Sequence, residues 1–233
     1  MVNAGGLIAR SESFDEMTSG VGVLDALEAE MRAFGATHFL ATGMPMPGRS
    51  IDPLILRMSW GDLRAHLSIK SQDPALQRAF MRRDAGLWNE TVDPPMEGES
   101  ALLASMDAVG RRRLLLVPIC AFLPYQAVVV AGGTELTLSI KAMLSVTHFV
   151  AAAFRRLFAL DYLRPHRPGE LSGRERRVLE LSAMGKTANE IADILTISQR
   201  TVHARLQNAS EKLGAENKTH TVVEALRYGQ IRV

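Results

Sequence analysis

The stretch "TANEIADILTISQRTVHARLQNA", residues 187–209, holds two short helical patterns on either side of a break. Thr187 with Glu190 forms a capping box, the side-chain pair that satisfies the free N–H groups at a helix start. Ile191, Ile194 and Leu195 follow at helical spacing. Ser198 stands where it can cap a second helix, whose apolar stripe is Val202, Leu206, Ala209 and Leu213, and Gly214 stops it. The stripe leaves Gln199, Arg200, Thr201, His203, Arg205, Gln207 and Asn208 on the polar side. Arg pairs bidentately with guanine, and Asn or Gln with adenine, while Arg205 and Lys212 suit phosphates. A solvated helix face would carry the same residue types; the short helix–turn–helix spacing favours a reading helix in the major groove of DNA.

Working outward, Ser172 and Glu175 make another capping box, opening a helix with Val178, Leu179 and Ser182 inward and Gly185 at its end. A fourth helix is predicted from about Thr219 to Tyr228, with Val222, Val223 and Leu226 inward. Upstream, "LRPHRPGELSGRE" has two prolines, two glycines and no periodic apolar pattern, and reads as a linker. The domain boundaries are therefore 1–163, a linker at 164–171, and 172–233. Charge divides the same way: residues 1–163 carry 15 Lys/Arg and 17 Asp/Glu, and residues 164–233 carry 12 and 8. A basic segment behind a mildly acidic body fits a nucleic-acid module joined to something else.

Residues 172–226 resemble the DNA-binding domain of the LuxR family. The resemblance lies in E-x-x-V-L at Glu175–Leu179, G-K-T at Gly185–Thr187, E-I-A at Glu190–Ala192, I-S at Ile197–Ser198, T-V at Thr201–Val202 and K-L at Lys212–Leu213. The candidate DNA contacts are Thr187 and Ser198 at the helix starts, with Gln199, Arg200, Thr201, His203, Arg205, Asn208 and Lys212. The family usually has His where this chain has Arg205.

The body reads as α/β. With 47% hydrophobic and 22% charged residues, the chain has enough apolar side chains for a core. Residues 21–35 are amphipathic, with Val23, Leu24, Leu27 and Met31 on one face. "THFLATGM", "DPLILRMSW", "RLLLVPICA" and "YQAVVVAGG" look like strands, the last two continuous enough to be central. A long helix closes the body, with a wide stripe including Met143, Leu144, Phe149, Ala152, Ala153, Leu157 and Phe158. That width suits a dimer interface as well as a core. The start of the chain has no signal-peptide apolar run, the longest apolar run is too short for a bilayer, and the six histidines and the lone Cys120 show no metal-ligand spacing. A reducing cytoplasm, with no membrane and no cofactor, is the expectation. Neither a receiver-type acidic pair, a phosphate loop nor a catalytic constellation stands out, so an enzyme is not expected.

This order is similar to that of quorum-sensing LuxR regulators, which bind N-acyl-homoserine lactones in an α-β-α sandwich. The matching residues are Trp60 and Asp73-Pro74, which reproduce W-x12-D-P, and Trp88 at the family's spacing beyond. The resemblance implies that the Trp60 indole donates to the lactone carbonyl, Asp73 accepts from the amide N–H and Trp88 packs on the ring. On the residues alone, both tryptophans also read as core aromatics, and Asp73 before Pro74 as a helix cap. The chain departs from the family at Arg64, where a Tyr donates to the amide carbonyl. It departs again at Val109, Leu114 and Ala121, while Gly110 and Pro118 are kept. Arg64 either replaces the Tyr as donor or pairs with Asp73 and fills the pocket. The fold expected is thus an α/β sandwich for ligand binding plus an all-α four-helix helix–turn–helix domain. The function expected is a DNA-binding regulator acting on double-stranded DNA as a homodimer, or as a heterodimer with another regulator of its type. It answers to a lactone or, if the pocket is occluded, to none.

Overall fold

A computed structural model describes residues 4–44, 50–60, 69–70, 72–82, 84–106, 110–119, 126–163, 171–228 and 230–231. Arg64, Val109, Cys120 and Ala121 lie outside them, as does the linker segment except for Leu171. The chain divides into two compact units, one built from the elements up to residue 163 and the other from those beginning at Leu171.

The first unit opens with α1 (Ala4–Glu12) and α2 (Gly20–Ala33). In α2 the predicted inward set Val23, Leu24, Leu27 and Met31 is buried. Five strands follow: β1 (His38–Gly43), β2 (Ile55–Ser59), β3 (Gly86–Asn89), β4 (Arg113–Ile119) and β5 (Ala127–Gly133). Their order is β2-β1-β5-β4-β3, every neighbouring pair antiparallel. The continuous run in β5 is explained by its central place, where all seven residues are buried. Pro118 is tolerated inside β4 because β3 pairs only as far as Leu116, so beyond it β4 needs donors on one side alone.

Each strand buries alternate residues on opposite faces. Leu40, Met58, Trp88, Leu114, Leu116, Val128 and Val130 face α3 (Pro74–Met81) and the short α4 (Ala101–Ala104), forming one core with Trp60, Ala75, Leu76, Ala79 and Leu102. Phe39, Ala41, Leu115, Val117, Val129 and Ala131 are buried on the other face. The long helix α5 (Ile140–Ala159) contacts β4 and packs with α1 and α2, completing an α-β-α sandwich. By length and composition α5 is apolar enough to cross a bilayer; its inner face is nevertheless core, with Val146, Phe149, Val150, Ala153, Phe154 and Leu157 buried. Leu144 and Phe158, predicted on its stripe, are exposed instead, at 71% and 41%. At about 100° per residue the buried stripe centres on Val146, Val150 and Ala153, which puts Leu144 on the opposite face and Phe158 beyond the stripe's edge.

The second unit has four helices: α6 (Gly173–Ala183), α7 (Ala188–Leu195), α8 (Gln199–Leu213) and α9 (Lys218–Arg227). Both capping boxes are formed, Ser172 with Glu175 and Thr187 with Glu190. Ser198 caps α8, accepting from the Thr201 N–H, and Gly214 ends it with φ +62°. Val178, Leu181, Ile191, Ala192 and Val202 make the core, and Leu206 packs on it half-buried. The α9 face differs from the reading of the sequence. Thr221, Glu224, Ala225 and Tyr228 are buried, while Val223 and Leu226 are 51% and 38% exposed. The helix is turned so that the Thr221 hydroxyl meets Ser210 Oγ at 2.6 Å and the Asn217 carbonyl at 2.8 Å. A turn fixed by those bonds places Val223 outward.

At one end of the sheet, Glu90 gathers N–H groups from Gly110 and Arg112 and a bidentate pair from the Arg112 guanidinium, which also donates to the Leu103 carbonyl. The Arg112 bonds outweigh burial and hold the Glu90 carboxyl down at about 2, against an ordinary 4.5. Its folded pKa lies below its unfolded one, so its stabilisation is complete above about pH 4.5 and is lost as pH falls toward 2. Glu90→Gln should destabilise this unit at pH 7 by about 2 kcal/mol and flatten its acid dependence between pH 5 and 2. Denaturant midpoints across that range check this; parallel pH profiles for the two chains would contradict it.

Candidate functional site

Two sets of residues were singled out by sequence, and each is taken within its own unit. In the helical unit, α7, a turn through Thr196 at φ +53°, and α8 form the helix–turn–helix. The Ile197 N–H donates to the Ala192 carbonyl at 3.0 Å, closing the turn. At about 100° per residue, Val202, Leu206, Ala209 and Leu213 fix the inner side of α8. Arg200, Ala204, Gln207 and Asn208 then lie opposite, His203 on one flank, and Thr201, Arg205 and Lys212 on the other. Gln199, Arg200, His203 and Asn208 are exposed, and Thr201 and Arg205 half-buried. Ala204 was missed by sequence reasoning: its small side chain at the centre of the outward face lets the helix backbone come close to a groove.

Three of the predicted contacts have work within the fold. The Thr187 and Ser198 hydroxyls accept from the backbone N–H groups of Glu190 and Thr201 as caps. Lys212 Nζ donates to Glu175 Oε2 at 2.8 Å, tying the end of α8 to the start of α6. Burial raises the Glu175 pKa, but the Lys212 ammonium and the Ser172 N–H more than offset this and leave it lowered. Arg205, by contrast, makes no ion pair with the described residues.

In the α/β unit, Trp60 stands directly after β2 and is 1% exposed. Its indole N–H donates to the Leu102 carbonyl at 3.1 Å and to Ser105 Oγ at 2.9 Å, and its ring lies against His38. Asp73 is the N-cap of α3, as the Asp-Pro reading allows: Oδ1 accepts from the Ala75 N–H at 2.9 Å. Oδ1 also accepts from Ser100 Oγ, and Oδ2 from the N–H groups of Ala101 and Leu102 at 2.8 and 3.4 Å. Trp88, on the edge strand β3, donates to the Pro94 carbonyl at 3.1 Å. Trp60 and Trp88 thus belong to one core, with Asp73 beside it. Ser100, Leu102 and Ser105, which hold Trp60 and Asp73, carried no signal in the sequence reading.

Leu114, where the family has glycine, is the direct partner of Trp88 in the β3–β4 register and shares its core. On its other side it faces Gly132, where a Cβ would come within 3.2 Å of Leu114 Cδ2. The large residue is thus matched by a small one. Outside α4, a cavity of about 570 Å³ is lined by Trp88, Met96, Leu103 and Ala104, with Ser100 and the Glu90–Arg112 pair at its polar parts.

These placements separate DNA contacts from fold contacts. Arg205→Ala should weaken binding to a duplex selected by the purified protein several-fold and reduce the salt dependence by about one counterion, leaving the unfolding midpoint unchanged. Lys212→Met should instead destabilise the helical unit, because it strands the buried Glu175 carboxylate. Gel-shift titrations at two salt concentrations, with denaturant unfolding beside them, test the pair; equal losses of stability would contradict the division. For Asp73→Asn, the new amide group would face N–H donors or lose the Ser100 donor. A stability loss of about 2 kcal/mol in the ligand-free chain is expected, and an unchanged midpoint would deny Asp73 its structural role.

Comparison with known proteins agrees with both units. Residues 169–225 match the family model described as bacterial regulatory proteins, luxR family. The transcriptional activator protein BjaR1 of Bradyrhizobium diazoefficiens is 30% identical, over 88% of this chain and 87% of that protein. The HTH-type quorum sensing-dependent transcriptional regulator RpaR of Rhodopseudomonas palustris is 28% identical, over 94% and 92%. The solved structure of SdiA in complex with octanoyl-rac-glycerol has the same fold, with a TM-score of 0.58 at 20% identity, over 95% of this chain and 93% of SdiA. The helix–turn–helix, the sandwich and a relative of this similarity along nearly its whole length lead to one conclusion: the chain belongs to the LuxR family of bacterial transcriptional regulators.

Proposed function

We propose that the chain is a dimeric cytoplasmic regulator, without enzymatic activity, whose α/β unit receives an N-acyl-homoserine lactone and whose α8 reads an operator of two-fold symmetry. The observation that carries the sensing role is the cavity of about 570 Å³ beside Trp88. That volume lies in the range of small-molecule sites, and its mix of apolar walls with a few polar groups suits an acyl amide. RpaR, similar along most of the chain, is named as quorum sensing-dependent, which supports the same reading. Self-association is supported by apolar residues left outside: Ile140, Leu144 and Phe158 on α5, and Val223 and Leu226 on α9. Two identical subunits match two half-sites, and another regulator of the family could take the place of one.

A second reading is a regulator that needs no ligand. It is favoured by the internal partners of Trp60 and Asp73, which already occupy the indole N–H and both carboxylate oxygens.

Thermal unfolding of protein from a host that makes no lactones decides between them. Against a panel of short- to long-chain lactones, a ligand at about a hundred times its Kd adds about 2.7 kcal/mol, several degrees of midpoint. Soluble dimer with no shift for any lactone would make the second reading the right one. Leu144→Glu should raise the dimer dissociation constant at least tenfold by sedimentation equilibrium, since it puts a charge on an apolar contact. An unchanged constant would remove α5 from the interface.

A further inference from the structure

The short helix α4 sits between the two side chains that the family resemblance assigns to the ligand, and it bonds to both. At its start, the N–H groups of Ala101 and Leu102 point to Asp73 Oδ2, and Ser100 Oγ donates to Oδ1. Toward its end, the Leu102 carbonyl accepts from the Trp60 indole, with Ser105 Oγ bonded to both at 2.9 Å. Leu102 therefore offers an N–H to the carboxylate and a C=O to the indole. An acyl-homoserine lactone would offer an amide N–H to Asp73 and its ring carbonyl to Trp60. Leu102 is fully buried, Trp60 and Asp73 are nearly so, and the two oxygens of Asp73 each accept two bonds.

We infer that α4 is a built-in occupant of the Trp60–Asp73 site, its Leu102 N–H standing where a ligand's amide N–H would bond and its Leu102 carbonyl where a ring carbonyl would, with Ser100 and Ser105 as its fasteners. A unit so arranged folds without a ligand, because the buried polar groups of Trp60, Asp73 and Leu102 are already paired. An amide-bearing ligand reaches Trp60 and Asp73 only by exchanging bond for bond with α4. Ser100 and Ser105 thereby set the sensitivity to ligand, Ser100 from the cavity wall and Ser105 from behind Trp60. This inference rests on the receptor reading only for the identity of the displacing molecule.

The test uses the full chain made in a host without lactones, with the variants Ser105→Ala and Ser100→Ala. Hydrogen exchange of the Ala101 and Leu102 amides is measured without ligand, and thermal midpoints are titrated with the lactone panel. We expect slow exchange in the ligand-free chain, and faster exchange on adding the active lactone. In each variant, half-maximal response should come at about five- to tenfold lower lactone, since one fastening bond is gone. Free exchange of both amides, a chain that is insoluble until lactone is supplied, or variants that respond to lactone at the wild-type half-maximal concentration would each overturn the inference. Slow exchange with no response to any lactone in any of the chains would uphold α4 as occupant and overturn the receptor reading. Midpoint shifts accompanied by free exchange would do the reverse.

Discussion

The α/β unit depends on one carboxylate. Asp73 begins α3 by capping the Ala75 N–H and begins α4 by accepting from Ala101 and Leu102. A buried carboxylate without donors would cost several kcal/mol, and unpaired N–H groups at two buried helix starts would add to this. Placing one beside the other removes both costs. Because Trp60 takes the Leu102 carbonyl at the far end, the same short helix is fixed to the end of β2. The core of Leu76, Leu102, Trp88 and the inner residues of β4 and β5 closes around that frame. Its dispersion and hydrophobic energy exceeds that of the polar contacts, but without them the helices would have no reason to lie in this register.

The helical unit uses the same economy in a local form. Its caps join residues three apart, as with Ser172 and Glu175 or Thr187 and Glu190. The ion pair of the buried Glu175 with the exposed Lys212 links the beginning of α6 to the last turn of α8, where a cation also suits the helix dipole. The position of the reading helix is thereby fixed from below, and the outward residues of α8 remain available.

This contrast explains what could be read in advance. The four helices of the second unit, three of their caps and the stop at Gly214 were legible because each is written within a few residues. An α/β body was legible from the length and apolar continuity of β4, β5 and α5, and its sandwich arrangement from the family resemblance. β3 was not, because an edge strand of four residues around Trp88 carries too little pattern. The partners of Trp60 and Asp73 were not legible either, since they lie more than twenty residues away at Ala101 and Ser105. Asp73 as a cap could be inferred from Asp-Pro; that it caps a second helix could not. On α9, hydrophobicity alone pointed Val223 and Leu226 inward, while hydrogen bonds from Thr221 decided the rotation. Periodicity counts apolar residues and does not see a buried hydroxyl that needs a partner.

The two units therefore stand in different thermodynamic relations to what they bind. On α8, Arg200, His203 and Asn208 are exposed, so a duplex bound there would exchange water and counterions for contacts and little of the fold would have to change. At Trp60 and Asp73, a ligand would exchange one set of buried bonds for another of the same kind, and only the difference would appear as affinity. A signal can bias a regulator only by its preference for one state over the other. With α4 in place, that preference comes from what α4 cannot provide: burial of an acyl chain and the fit of a ring against aromatic walls. Selectivity among signals would then reside in the apolar lining around Trp88 and Leu114, while the polar residues shared with the family would serve every member alike.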